Sequence, residues 1–195
     1  MDLVNLVAGV SGAVVGGGIA GYFSIKATEK AFKNQRLLAQ ENEAQLLNNF
    51  LLAIYDELDT LYDRYSDTVG GYIEGLKEGD ALNFYYPVVS DFFIVYNGNS
   101  FLLGKIDDDV LRKKIVATYT LAKGLIDSFH LNNELVSKFE FANKLYYESK
   151  SDIHKEQASA HYQQLIAYAK TLKAGHYEFK EQTLSLLALL RKRDV

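Results

Sequence analysis

The sequence predicts an all-α protein: an N-terminal glycine-rich transmembrane helix that continues into a long helix and a cytoplasmic helical bundle. Three observations point that way. The chain has 195 residues and a single proline, Pro87, the residue that interrupts both the hydrogen-bond ladder and the sterics of a helix interior. Its opening stretch, Leu3 to Ile25, carries no charged side chain. Beyond Leu47 the apolar residues recur at three- and four-residue spacing, the period of a helix face.

Composition sets the outer bounds. Hydrophobic content of 48% with 24% charged residues excludes wholesale disorder. The net charge of -4 is too small to suggest a nucleic-acid or strongly acidic partner. With no cysteine there is no disulfide framework and no thiolate metal site, which fits a reducing compartment.

The first element must be decided between two readings. Gly16, Gly18 and Gly21 match the spacing of a dinucleotide-binding turn, and the preceding Val10-Ser11-Gly12-Ala13-Val14-Val15 resembles the opening of flavin-binding proteins. That fold needs a second strand ending in an acidic residue about 20 positions on. There the chain reads Arg36 to Gln45, a polar helix-favouring run without a β-branched residue, so a flavin or dinucleotide enzyme is a remote alternative. As a membrane helix, the ~23 residues from Leu3 to Ile25 reach ~34 Å, enough for a hydrocarbon core of ~30 Å with some tilt. A buried helix in water is disfavoured, because six glycines between Gly9 and Gly21 would each cost ~1 kcal/mol relative to alanine.

The small residues form rows. Ala8, Gly12, Gly16 and Ala20 recur every four positions, and Gly9, Ala13, Gly17 and Gly21 lie beside them. In lipid, adjacent small rows let two helix backbones approach closely, so these eight residues are the candidate self-association face and the chain is expected to be a homo-oligomer. The bland alternative is a simple anchor. Just past the span, Lys26, Lys30, Lys33 and Arg36 stand against Glu29; these four cations are the candidate lipid-headgroup contacts. The positive-inside tendency places the N-terminus outside and the carboxyl side in the cytoplasm. No basic stretch precedes the span, so it reads as a retained anchor and not a cleaved signal. Expected domains are a transmembrane anchor at 1–25, a juxtamembrane helical stalk at 26–46 and a cytoplasmic bundle at 47–195.

The long helix is expected from Lys26 to about Val69. Leu47, Leu51, Ile54, Leu58, Leu61 and Tyr65 make one seam, a packing stripe or a short coiled coil, while Asn48, Asp56, Asp59, Asp63 and Asp67 lie opposite as a solvated face. Gly70-Gly71, Gly75, Gly79-Asp80 and Pro87 mark a break over 70–87 with room for one helical turn. Residues 88–106 fit a hairpin about Asn97-Gly98 or a helix-turn-helix in which Val88 to Tyr96 is helical and Gly98 closes it. Helices are favoured, since a lone hairpin would need a partner surface. Asp107-Asp108-Asp109 opens the next helix by accepting free amides, with Val110, Leu111, Ile115, Leu121, Leu125, Ile126 and Phe129 as its buried stripe, running to about Tyr147. The last helix begins near Ser151-Asp152 and packs through Leu165, Ile166, Tyr168, Ala169 and Leu172, with a kink at Ala174-Gly175. Its apolar end, Leu184 to Leu190 before Arg191-Lys192-Arg193, either caps the bundle or rests on a membrane or partner.

The segment FFIVYNGNSFLLGKIDDDVLRKKIVATYTLAKGLIDSFHLNN, Phe92 to Asn133, resembles one found in uncharacterised bacterial single-span membrane-anchored helical proteins, some prophage-associated. The resemblance implies a bacterial cell (inner) membrane setting and the same architecture, and carries no activity with it.

A search for chemistry is negative. His154 and His161 share a helix face, but neither has a carboxylate three residues before it as a bundle di-metal site requires; they, His130 and His176 read as surface or half-buried residues. The three aspartates lack calcium-loop spacing. No nucleophile elbow, phosphate loop or zinc motif occurs. The 14 tyrosines and 11 phenylalanines read as ordinary packing or as a helical or membrane-facing rim. Residues 26–195 hold 21 basic residues against 24 acidic ones (25 less Asp2), a balance of -3 that leaves no broad basic surface for nucleic acid. The expectation is therefore no enzyme, no cofactor and no metal. It is a membrane-anchored interaction protein, a scaffold, sensor or exclusion factor, with membrane lipid and an unidentified cytoplasmic protein as partners. The alternative function is a defensive or toxic effector that permeabilises the membrane as an oligomer.

Overall fold

The computed structural model describes the backbone of residues 3–87 and 93–193, and side chains from Gly21 onward. Every regular element among them is helical: α1 (Leu3–Tyr65), a π-helical turn (Ser66–Gly70), α2 (Gly71–Gly75), α3 (Ile94–Gly98), a 3-10 turn (Ser100–Lys105), α4 (Asp109–Ser149) and α5 (Asp152–Arg191). The chain divides between Leu46 and Leu47 into two units.

In the first unit the described large apolar side chains, among them Tyr22, Phe23, Ile25, Phe32, Leu37 and Leu38, are exposed. No helix among the described residues is long and apolar enough to cross a membrane. The expected span, 1–25, falls mostly on residues 1–20, whose side chains lie outside the described ones.

The second unit is built on the antiparallel pair α4 and α5. Asp108 caps α4 by accepting from the amides of Val110 at 2.9 Å and Leu111 at 3.0 Å, and these bonds hold its carboxyl below the usual range. The Arg193 guanidinium adds an ion pair. Lys150 ends α4 in the left-handed conformation, φ 52°, a place where glycine is common; its amide returns to the Tyr146 carbonyl at 2.8 Å and its ammonium lies 4.9 Å from the Tyr147 ring centre.

Against this pair the seam of α1 is buried at Leu51, Ile54 and Leu58 and half-buried at Leu47, Leu61 and Tyr65, while Asn48, Asp56, Asp63 and Asp67 are exposed. Leu111, Ile115, Tyr119, Phe129, Leu172, Phe179, Leu186 and Leu190 complete one core with Val69, Ile73, Leu82, Leu102 and Ile106 from the connecting segment. The apolar C-terminal run thus caps the bundle through Leu186, Leu187 and Leu190.

Several details differ from the sequence expectation. Gly70-Gly71 do not break the chain: the π turn and α2 extend helical winding to Gly75, and the break comes at Leu76, which is extended at ψ 128°. Within 93–106 the regular structure is helical, α3 at Ile94–Gly98 and the 3-10 turn at Ser100–Lys105; 88–92 lie outside the described residues. Val110 is 72% exposed, because it falls on the outer face of α4 with Lys113 and Ala117, while Leu111 beside it already begins the buried stripe. Gly175 causes no interruption of α5; a side-chain methyl there would meet Leu125 Cδ1 at an ordinary 3.9 Å.

Two glycines give opposite expectations. Gly124 sits inside α4 with open space where a methyl would go, so Gly124→Ala is expected to stabilise by about 0.5–1 kcal/mol. Gly79 has φ +90°, so Gly79→Ala is expected to destabilise by about 1–2 kcal/mol. Chemical denaturation of the two variants checks both signs.

Candidate functional site

The described residues between α1 and α4 form only short helical pieces joined by irregular chain, and several of their polar groups are held by side chains from the long helices. Two clusters do most of this. The first surrounds His176 on α5, where the ring is 1% exposed. It lies four residues after Leu172 and three before Phe179, on the packed face of the helix. The expectation of a surface or half-buried residue is therefore corrected: the helical period that buries Leu165, Ala169 and Leu172 buries His176 too.

The imidazole bridges two elements. Nδ1 is 2.6 Å from the Tyr65 hydroxyl and Nε2 is 3.1 Å from Glu74 Oε1. Lys180 donates to the same Glu74 oxygen at 2.7 Å, and this bond, with the one from His176, holds the Glu74 carboxyl below its usual range. An ionised carboxylate only accepts, so Nε2 carries the hydrogen. Burial pushes the His176 pKa down, leaving Nδ1 a lone pair that accepts from Tyr65. Tyr65 keeps its proton, its own pKa raised chiefly by burial. Its ring meets Phe129 and Phe179 edge-on at 6.3 and 5.5 Å. Lys173 donates to the carbonyls of Leu76 and Glu74, closing the end of α2.

The second cluster is centred on Glu57. Its carboxylate accepts from the amides of Val95 at 2.7 Å and Tyr96 at 3.3 Å, and from the Tyr119 hydroxyl at 2.6 Å. A helix start needs acceptors for its free amides; α3 has no side-chain cap of its own, and Glu57 supplies one from α1. Tyr96 stacks on Tyr119 at 4.0 Å, and burial pushes the Tyr119 hydroxyl up. Asn133 clamps Tyr86 at two points, accepting from its amide at 2.9 Å and donating to its carbonyl at 2.7 Å.

Among the described residues neither cluster encloses a ligand-sized cavity. A shallow cleft of about 290 Å³ borders the first cluster, lined by Lys77, Asp80, Lys170 and Lys173, and another of the same size is lined by Phe139, Tyr146 and Tyr162. Small-molecule sites start near 300 Å³ and are enclosed. Among the described residues no group of three His, Asp or Glu could hold a metal.

Of the candidate self-association residues, Ala8, Gly9, Gly12, Ala13, Gly16, Gly17 and Ala20 fall outside the described side chains, though the backbone there is helical within α1. Gly21 is described, and nothing lies within 4 Å of where its Cβ would be. Lys26, Lys30, Lys33 and Arg36 are all exposed, and the Lys26 ammonium lies 5.0 Å from the Tyr22 ring centre.

Glu57 and His176 were not among the candidates. Spacing alone would have placed both on or beside apolar stripes, three residues from Ile54 and four from Leu172. Glu57→Ala removes the acceptor for three donors and is expected to cost about 2–4 kcal/mol; Glu57→Gln, which keeps one acceptor oxygen, should lose distinctly less. Denaturant midpoints of the two variants compare them. The chain matches no protein-family model, and comparison with curated proteins and with solved structures finds no significant match in either.

Proposed function

We propose that this protein is a membrane-anchored helical interaction protein that self-associates through its glycine-rich N-terminal helix. The observation that carries this reading is the pairing of sequence and backbone in α1. Helical winding continues through six glycines in a stretch without a charge. Water would penalise each glycine by about 1 kcal/mol, whereas lipid demands the helix, because no other solvent for the amides is present there.

The residues that follow suit an interface. Tyr22 and Phe23 are 55% and 64% exposed and form an edge-on pair at 5.8 Å with Lys26 above the Tyr22 ring, the amphipathic combination enriched at headgroup depth. Lys30, Lys33 and Arg36 extend the positive flank, each contributing about 1 kcal/mol near an anionic surface. That flank orients the second unit to the cytoplasmic side of a bacterial cell membrane. A protein partner there has exposed apolar residues to meet, including Ile94, Phe101 and Phe141.

The absence of native cysteine makes cross-linking unambiguous. Expressed in bacteria, the full chain is expected in the membrane fraction and extractable only by detergent. Oxidation should couple Ala13→Cys into dimers and leave Val15→Cys, on the opposite side of the helix, monomeric; Gly16→Leu added to Ala13→Cys should abolish coupling. Recovery of the intact chain in the soluble fraction without detergent would sink the proposal. A collapse of membrane potential on expression, reversed by Gly16→Leu, would instead favour the permeabilising effector.

A further inference from the structure

We propose that the Tyr65–His176–Glu74 relay is an acid-operated latch: protonation of His176 releases the π turn and α2 from α5 and uncovers the apolar side chains of Val69 and Ile73. The proposal concerns the second unit alone and stands independently of the anchoring.

With a neutral ring every polar atom is used once. Nε2–H donates to Glu74 and Nδ1 accepts from Tyr65. A proton added at Nδ1 turns that acceptor into a donor facing a hydroxyl hydrogen. Tyr65 could satisfy it only by turning its own O–H away and accepting instead, which gives up the bond it donates now.

The charge balance works the same way. Facing His176 are Tyr65 from α1, Glu74 from α2, and Lys173, Lys180 and Tyr177 from α5 itself; Tyr62 and Tyr86 stand behind Tyr65. The Glu74 carboxylate already pairs with the Lys180 ammonium, and the Lys173 ammonium also faces the ring. An imidazolium would be a third cation, at a site 1% exposed, where an unbalanced charge is costly.

The released element has a second winding available. A π turn holds one residue more than an α turn, and reverting to α geometry would rotate everything beyond it by ~100° and shift it by ~1.5 Å. Val69 and Ile73, both 0% exposed, and Glu74 would leave their present partners together. The turn lies against the ring at Gly70, where a methyl would sit at an ordinary 3.5 Å from His176 Cε1. The sign is fixed by burial, which sets the folded pKa of His176 below its ordinary value against the opposing pull of Glu74. The latch is therefore fully held above about pH 6.5 and is lost as the pH falls below that toward the folded value.

Amide hydrogen exchange of the full purified chain, corrected for the intrinsic rate at each pH, tests this from about pH 7.5 to about pH 5. Protection of residues 66–76 is expected to fall about tenfold per pH unit once the transition begins, while peptides from the middle of α4 keep theirs. Tyr65→Phe removes the donor to neutral Nδ1 and should raise the midpoint by about one pH unit, a tenfold change in proton affinity. Glu74→Gln removes the partner of the protonated ring and should lower it. His176→Gln should abolish the pH dependence, and if that variant does not fold, the opposed shifts of the other two decide. Constant protection in the native chain, equal loss along all helices, or midpoints unmoved by Tyr65→Phe and Glu74→Gln would each overturn the proposal.

Discussion

A backbone without a sheet to pair with must find its hydrogen bonds elsewhere, and that constraint organises the second unit. Between the π turn and α4 the described residues make three short helical pieces of five or six residues each, yet they contribute Leu82, Phe93, Leu102 and Ile106 to the core. Each approach carries peptide groups in with it, and burying them unpaired would cost several kcal/mol apiece. The long helices answer with side chains. Glu57 takes the amides at the start of α3, Asn132 donates to the Leu82 carbonyl, Asn133 holds Tyr86, Arg112 reaches the Ile106 carbonyl, and Lys173 closes α2. Asn132, Asn133 and His176, buried inside this bundle, dock a segment that could not otherwise be buried.

The periodic part of this architecture was legible in the sequence. Leu51, Ile54 and Leu58 fall on the buried face that their spacing assigns, Asp108 caps the helix that an aspartate run announces, and the apolar C-terminal residues enter the core. These are local signals, written within one or two turns of helix. What escaped depends on residues far apart: His176 is 111 positions from Tyr65 and Glu57 is 62 from Tyr119. Helical period places a polar residue on an inward face but does not say which hydroxyl or carboxylate will meet it. The π turn escaped for a related reason. Gly70-Gly71 is a breaker by propensity, and only the packing of Val69 and Ile73 against the other helices makes continued winding the better solution.

Glycine serves two different ends in the chain. In the second unit Gly79 permits a turn that other residues resist. In the proposed anchor the glycines lie in rows, where their value is the shallow surface they leave for another helix. The same residue that loosens a chain in water narrows a helix in lipid, so its meaning at each position is set by the solvent.

The connection between α4 and α5 is only Lys150 and Ser151, and it has a temporal consequence. A hairpin of two long helices is rich in local contacts, which form quickly, but it is synthesised after α1. The α1 seam is synthesised before α4 and α5 and stays incompletely covered until the residues that complete its core emerge. During that interval Leu51, Ile54 and Leu58 are available to chaperones or to another nascent copy, so the order of synthesis, and not the strength of the finished core, sets when this chain is most exposed to misassembly.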